Sequence, residues 1–292
     1  MLFTVVVAPS VRAALSVTSI GAPVTINFDT TVTDVNDGQF AGNGFDSTTT
    51  SGQLDSDSWA VFRNGGDDPP TSSGALAFGG TQETASTTWT RGTSPGGVST
   101  GGIYAFDVSN GGTVDRAIGV QPAGGMTFDG SSGTNSGKIT LKVTNNTGVT
   151  VSSWSVSFDV YVFNDEGRSS TVAFLYAPNS SDTTGTLANG TIYTAAGVNV
   201  VTAETAAASP AWVKNSQTVA IPQSIANGAS LNIRWNIYDS GGGGSRDELA
   251  IDNLGVAAIP EPSAFLFGGL VCGVIGLGIG GRRLIAKLCD RG

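Results

Sequence analysis

Between residues 138 and 163 the chain alternates apolar and polar residues so regularly that only an extended, half-buried backbone fits it. In the run from Lys138 to Asn145, Ile139, Leu141 and Val143 share one face, and lysines and threonines take the other. Residues 151–163 repeat the pattern, with Trp154, Val156, Phe158 and Val160 inward. Successive side chains on a strand point to opposite faces, so a period of two in β-branched and aromatic residues marks a strand that buries one face. No dozen-residue stretch of the central chain keeps the 3.6-residue spacing of an amphipathic helix.

Further strands are read at 24–29, 58–63, 76–78, 87–91, 102–106, 117–121, 171–177, 217–222, 230–238 and 248–256. In 230–238, Leu231, Ile233, Trp235 and Ile237 point inward. Clusters of Gly, Ser, Asn and Asp separate these runs, and 42 of the 292 residues are glycine. About a dozen short strands joined by turn-rich loops predict an all-β fold, an antiparallel jelly-roll-like β-sandwich. It is read as one extracytoplasmic domain over residues 14–258.

The ends of the chain carry a different message. Residues 264–281 (AFLFGGLVCGVIGLGIGG) contain no charge, and a membrane-spanning helix needs about 17–25 such residues. Arg282 and Arg283 follow directly, which places the C-terminus in the cytoplasm by the positive-inside rule. Upstream, Pro260 and Pro262 keep the flanking Pro-Glu-Pro segment extended. At the other end, residues 2–8 are apolar and Val11-Arg12-Ala13 has small residues where signal peptidase reads them, so residues 1–13 are read as an export signal. No basic segment precedes it, as in a signal truncated at its start.

Pro260-Glu261-Pro262, an apolar helix and then Arg282-Arg283, in that order over residues 259–292, resemble the PEP-CTERM sorting signal of Gram-negative bacteria. The resemblance implies recognition by an exosortase, a membrane-embedded transpeptidase-like enzyme. It further implies an inner-membrane anchor before processing, and delivery to the cell surface or extracellular matrix of a bacterium that makes exopolysaccharide. The nine residues after Arg283 are longer than in many such tails.

The chain has no histidine, and its two cysteines, Cys272 and Cys289, lie in the tail. Ser-His-Asp catalysis, histidine zinc sites, a cysteine nucleophile and exported disulfides are thereby excluded. Between residues 14 and 258 there are 21 acids against nine bases, a balance that argues against nucleic-acid binding. The acidic segments at 165–166 and 247–248 would each need a partner from elsewhere to act as a glycosidase pair, since neighbouring strand residues face opposite ways. A glycoside hydrolase is the third reading, behind two non-catalytic ones.

The stretch from Tyr238 to Val256 (YDSGGGGSRDELAIDNLGV) resembles the closing strand of MAM-like and carbohydrate-binding jelly rolls. In such folds the closing strand often pairs with the first, here Thr25-Ile-Asn-Phe-Asp, and acids from the two hold a structural calcium. Asp29, Asp247, Glu248 and Asp252 are the candidate ligands, with Glu248 and Asp252 on one strand face. The plain alternative is that Asp252-Asn253 only bonds to a neighbouring turn. For a saccharide, Trp89 and Trp212 are the candidate surface platforms, while Trp154 and Trp235 fall in phase with the core.

The chain is expected to be an exported, non-catalytic surface or matrix protein, sorted by an exosortase and associated with exopolysaccharide. The alternative is a calcium-stabilised carbohydrate-binding module.

Overall fold

The computed structural model describes residues 14–63, 76–83, 90–122, 137–178 and 193–260, and all the helix or strand elements within them are strands. The first half contributes short ones: β1 (Leu15–Val17), β2 (Val24–Ile26), β3 (Gly44–Asp46), β4 (Leu54–Asp55) and β5 (Trp59–Arg63). They are followed by β6 (Gln82–Glu83), β7 (Thr90–Ser94) and β8 (Gly102–Asp107). The second half is longer: β9 (Arg116–Gln121), β10 (Gly137–Asn145), β11 (Trp154–Phe163) and β12 (Arg168–Pro178). β13 (Tyr193–Val201), β14 (Trp212–Ile221), β15 (Ser230–Gly242) and β16 (Glu248–Ala258) complete it.

The last eight strands close a jelly roll by themselves. One sheet runs β10-β15-β12-β13 and the other β9-β16-β11-β14. Counted from β9 as the first of eight, these orders are 2-7-4-5 and 1-8-3-6, the wrap of two interlocked Greek keys. Every pairing among the eight is antiparallel. The inward residues read from the sequence meet between the sheets. Phe158 stacks on Phe174 at 5.2 Å between centroids, and Trp235 stands edge-on to both, at 5.5 and 5.7 Å.

The N-terminal half lines the sheet edges. β5 and β1 share the free edge of β10, and β9 and β2 share one edge of β16. β8 and β7 extend the second sheet beyond β9, and β4-β3-β6 form a small sheet of their own. Here the purely antiparallel expectation is corrected, because β1/β10, β3/β4 and β7/β8 run parallel. The reason at β7/β8 is the connecting loop at 95–101. It travels back across the outer face of the second sheet, so β8 starts beside the start of β7 instead of hairpinning.

That loop buries a second apolar cluster on the outer face, made of Tyr104, Phe106, Val108, Ala117, Tyr161, Trp212 and Ala250. It is tied down by Trp212 Nε1 donating to Pro95 O (2.7 Å) and Tyr104 Oη donating to Thr100 O (2.7 Å). Gly96 has φ near 110°, and a Cβ there would lie 3.1 Å from the Phe163 ring, so glycine alone lets the loop backbone rest on that ring. The expected transmembrane helix and the signal segment lie outside the described residues, as do Glu261, Pro262, Arg282 and Arg283. Pro260 is the last described residue.

Candidate cation site and the adjoining groove

The site is built by an irregularity in β16. Against β11, Ser157 pairs with Gly255 but Asp159 pairs with Asp252, so β16 holds one extra residue there. Asn253 takes the left-handed conformation the bulge requires (φ 52°), which Asn tolerates better than most residues. The bulge resets the side-chain phase. Leu249 and Ile251 enter the core before it, and Leu254, Val256 and Ala258 after it. Simple alternation puts Asn253 with Leu249 and Ile251; instead it is exposed, and Leu254 takes the inward place.

The bulge also falls at a junction. Along one edge of β16, β9 pairs as far as Ile251 and β2 resumes from Leu254. Asp29 lies three residues after β2 and Asp115 one residue before β9, so both are delivered to Asp252. The Asp115 carboxyl is within hydrogen-bonding reach of those of Asp29 and Asp252. Asp29 Oδ1 is held by the Arg116 backbone N–H at 3.0 Å and by Gln39 Nε2 at 3.2 Å. Asp159 closes the cluster, accepting from Asn253 Nδ2 (3.0 Å) and Ser216 Oγ (2.5 Å) and pairing with Lys214 Nζ at 3.5 Å.

Asp252 is fully buried, and neither of its carboxylate oxygens has a well-formed hydrogen bond, although the Asn253 backbone N–H approaches it and partly offsets the burial. Burial pushes its pKa up to about 8, and the charges of Asp115, Asp29 and Asp159 add to the rise. Burial and Asp29 likewise raise Asp115. An ionised carboxylate only accepts hydrogen bonds, so carboxylates facing one another need a proton or a cation between them. Calcium takes six to eight oxygens from carboxylates, carbonyls and water, and the donor set here is oxygen only. Among the described residues, no group of three acidic or cysteine side chains is placed to hold a metal ion as it stands.

The four acids expected to share a calcium are therefore split. Asp29 and Asp252 come together, with Asp115 as the member the sequence reading missed. Glu248 opens β16 and Asp247 precedes it, four and five residues or about 13–17 Å along the chain from Asp252 at 3.3 Å per residue. There Glu248 Oε1 accepts from the Val98 N–H at 2.6 Å, and Asp247 Oδ1 accepts from the Glu166 N–H at 2.9 Å. Burial, then contact with Asp165, raises the Glu248 pKa to about 9.

The expected surface platform at Trp212 is corrected too. Its side chain is only 5% exposed, packed against Phe106 and Phe163 beneath the 95–101 loop. Trp89 lies outside the described residues.

Beside the acidic cluster a groove of about 560 Å³ opens between β2, β11 and β16. Its polar lining is Thr25, Asn27, Thr30, Thr31, Ser157 and Asn253, all hydroxyl or amide, with no charged and no aromatic side chain. Gly255 forms part of the lining; a Cβ there would come within 2.6 Å of Ser157 Oγ.

No family model matches the chain, and no curated protein matches it. Among solved structures it is similar to the K1 cleaved adhesin domain of Lys-gingipain from Porphyromonas gingivalis W83, at 10% identity and a TM-score of 0.40, over 82% of this chain and 100% of that one. A CBM22-1 xylan-binding domain from Paenibacillus barcinonensis Xyn10C matches at 10% identity and 0.30, over 56% of this chain and 83% of its own. Caldicellulosiruptor saccharolyticus CBM27-1, solved with mannohexaose, matches at 15% and 0.28, over 56% and 84%. Nothing about the chemistry of this chain follows from likenesses at that level.

Proposed function

We propose that the sandwich is a calcium-stabilised, non-catalytic saccharide-binding module, exported and delivered to the cell surface by its C-terminal signal. The observation that carries the reading is the groove. Hydroxyl and amide side chains exchange hydrogen bonds with sugar hydroxyls, and a volume of 560 Å³ lies in the range of small-ligand sites. The absence of charge in the lining suits a neutral saccharide, and the absence of an aromatic ring means modest affinity. Asp29 lies between Asn27 and Thr30, and Asp252 precedes Asn253, so a calcium held by the acids would steady two walls of the groove.

The non-catalytic part is supported by how the acids are arranged. Glu248 and Asp165 are in direct contact and Glu248 is fully buried, whereas a glycosidase needs its carboxyls about 5–10 Å apart with sugar between them. Export and sorting rest on the Pro260-Glu261-Pro262 tail, with an exosortase as partner. Deleting those three residues should leave the protein in the inner membrane.

The binding test is calorimetric titration of the calcium-loaded protein with neutral oligosaccharides and with exopolysaccharide from its source. Thr25 and Ser157 are exposed, so Thr25→Ala/Ser157→Ala leaves the fold intact. Losing two hydrogen bonds of about 1 kcal/mol each weakens binding roughly thirtyfold. A folded, calcium-loaded protein that binds none of these saccharides overturns the reading.

A further inference from the structure

We infer that the end of the sandwich from which the C-terminal tail departs is a bilayer-contacting face, resting on lipid headgroups once the apolar run 264–281 is in the membrane. The inference rests on the anchor reading of that run and goes beyond it, since an anchor alone leaves a domain free on its linker. Here the exit point is fixed by the fold. The Ile259 N–H donates to Ser153 O at 2.9 Å, the Gly21 N–H donates to Ala258 O at 2.7 Å, and the Pro260 ring lies against Gly21. Only Glu261, Pro262 and Ser263 separate Pro260 from Ala264. Four Cα–Cα steps of up to 3.6 Å span at most about 14 Å. The headgroup layer takes about 5–8 Å of that, so a gap of at most about 9 Å is left between this end and the lipid.

The same end carries a surface suited to that contact. Its loops at 18–23, 146–153 and 222–229 are tied to one another. The Asn146 N–H donates to Val17 O (2.8 Å), Val151 and Ile225 exchange backbone hydrogen bonds, and the Gly148 N–H donates to Asn227 Oδ1 (2.8 Å). None of the three loops contains a charged residue, although residues 14–258 hold 21 acids and nine bases. Ile20, Val149 and Ile259 are 44, 50 and 36% exposed here, three of the six large hydrophobic side chains left exposed among the described residues. Apolar side chains gathered within an uncharged polar rim mark a contact surface. Anionic headgroups repel the acidic remainder of the domain, so this is the end that approaches lipid. β15 then runs away from the membrane, and the Gly241–Gly244 loop at its far end points outward.

The test uses the full-length chain carrying Cys272→Ser and Cys289→Ser, reconstituted into phosphatidylcholine vesicles, with a fluorophore on Val149→Cys or, as the far-end control, Gly243→Cys. The Val149 side chain is in solvent and a Cβ at Gly243 meets nothing within 4 Å, so both positions accept the change. Lipid spin-labelled at the headgroup should quench the probe at position 149 strongly and leave the one at 243 unaffected. Ile20→Asp should relieve most of the quenching at 149. Vesicle-bound protein whose probe at 149 escapes quenching, or stays as quenched in Ile20→Asp as in the parent, overturns the contact while the anchor stands. A chain that does not float with the vesicles overturns the anchor reading and this inference with it.

Discussion

Stripping calcium from the purified protein at neutral pH is expected to lower its melting temperature by roughly 5–10 °C, and restoring calcium should reverse the loss. A ligand that binds only the folded state at about 100 times its dissociation constant stabilises it by about 2.7 kcal/mol. For a domain of this size each kcal/mol moves the midpoint by about 2–4 °C. The gain is concentrated at Asp252, because a buried carboxylate facing Asp115 and Asp29 is the group an ion relieves most. Without calcium that carboxyl must hold a proton at neutral pH, which costs stability because the unfolded group is ionised, and Asp252→Asn removes this cost together with the ligand. It should therefore melt above the calcium-free wild type and respond less to calcium. Magnesium, which insists on a tight octahedron and keeps its waters, should substitute poorly. Differential scanning calorimetry with calcium, magnesium and chelator measures all three arms. A midpoint indifferent to calcium in the wild type would remove the cation from the account.

The second large effect is in the core. Trp235→Ala should cost about 3–5 kcal/mol, the usual penalty for cutting a buried tryptophan to alanine. Trp235 is wholly enclosed, and its edge contacts to Phe158 and Phe174 bridge the two sheets at the centre of the jelly roll. Neighbours on two strands cannot collapse into the space without breaking the Phe158–Phe174 stack, so the cavity term stays high. In urea unfolding the midpoint should fall while the slope holds, since the surface exposed on unfolding is little changed. A loss below about 1 kcal/mol would mean that the two sheets are not packed through this residue.

What could be read from the sequence tracks how strongly burial shapes each strand. β10, β11 and β15 were legible because their inward residues are large and strictly alternate. β14 was found only from residue 217, although it begins at Trp212, because it is a sheet edge whose Val213 and Lys214 face solvent. β13 (YTAAGVNVV), interrupted by Ala195-Ala196-Gly197, gave no signal. The expected strand at 76–78 reduces to a single bridge between Leu76 and Val61.

At the site, Asp252 and Asp29 were legible, since one lies within and the other just after a strand with a clear pattern. Asp115 was not: it ends a glycine-containing turn, and only the meeting of β2 and β9 on one edge of β16 brings it to the others. The bulge left one trace in the sequence, the Asp252-Asn253 pair, and Asn is a residue that accepts positive φ. Trp212 misled because local polarity says nothing of a loop that crosses from another part of the sheet.

In the proposed function a calcium-loaded sandwich binds a neutral saccharide in the groove between β2, β11 and β16. The most direct measurement is an NMR titration of the ¹⁵N-labelled, calcium-loaded protein with an oligosaccharide of the source polysaccharide, following backbone amides. Shifts are expected to gather at Thr25, Asn27, Thr30, Ser157 and Asn253, and to be lost in Thr25→Ala/Ser157→Ala. Shifts gathered on the first sheet, or none at saturating saccharide, would contradict it.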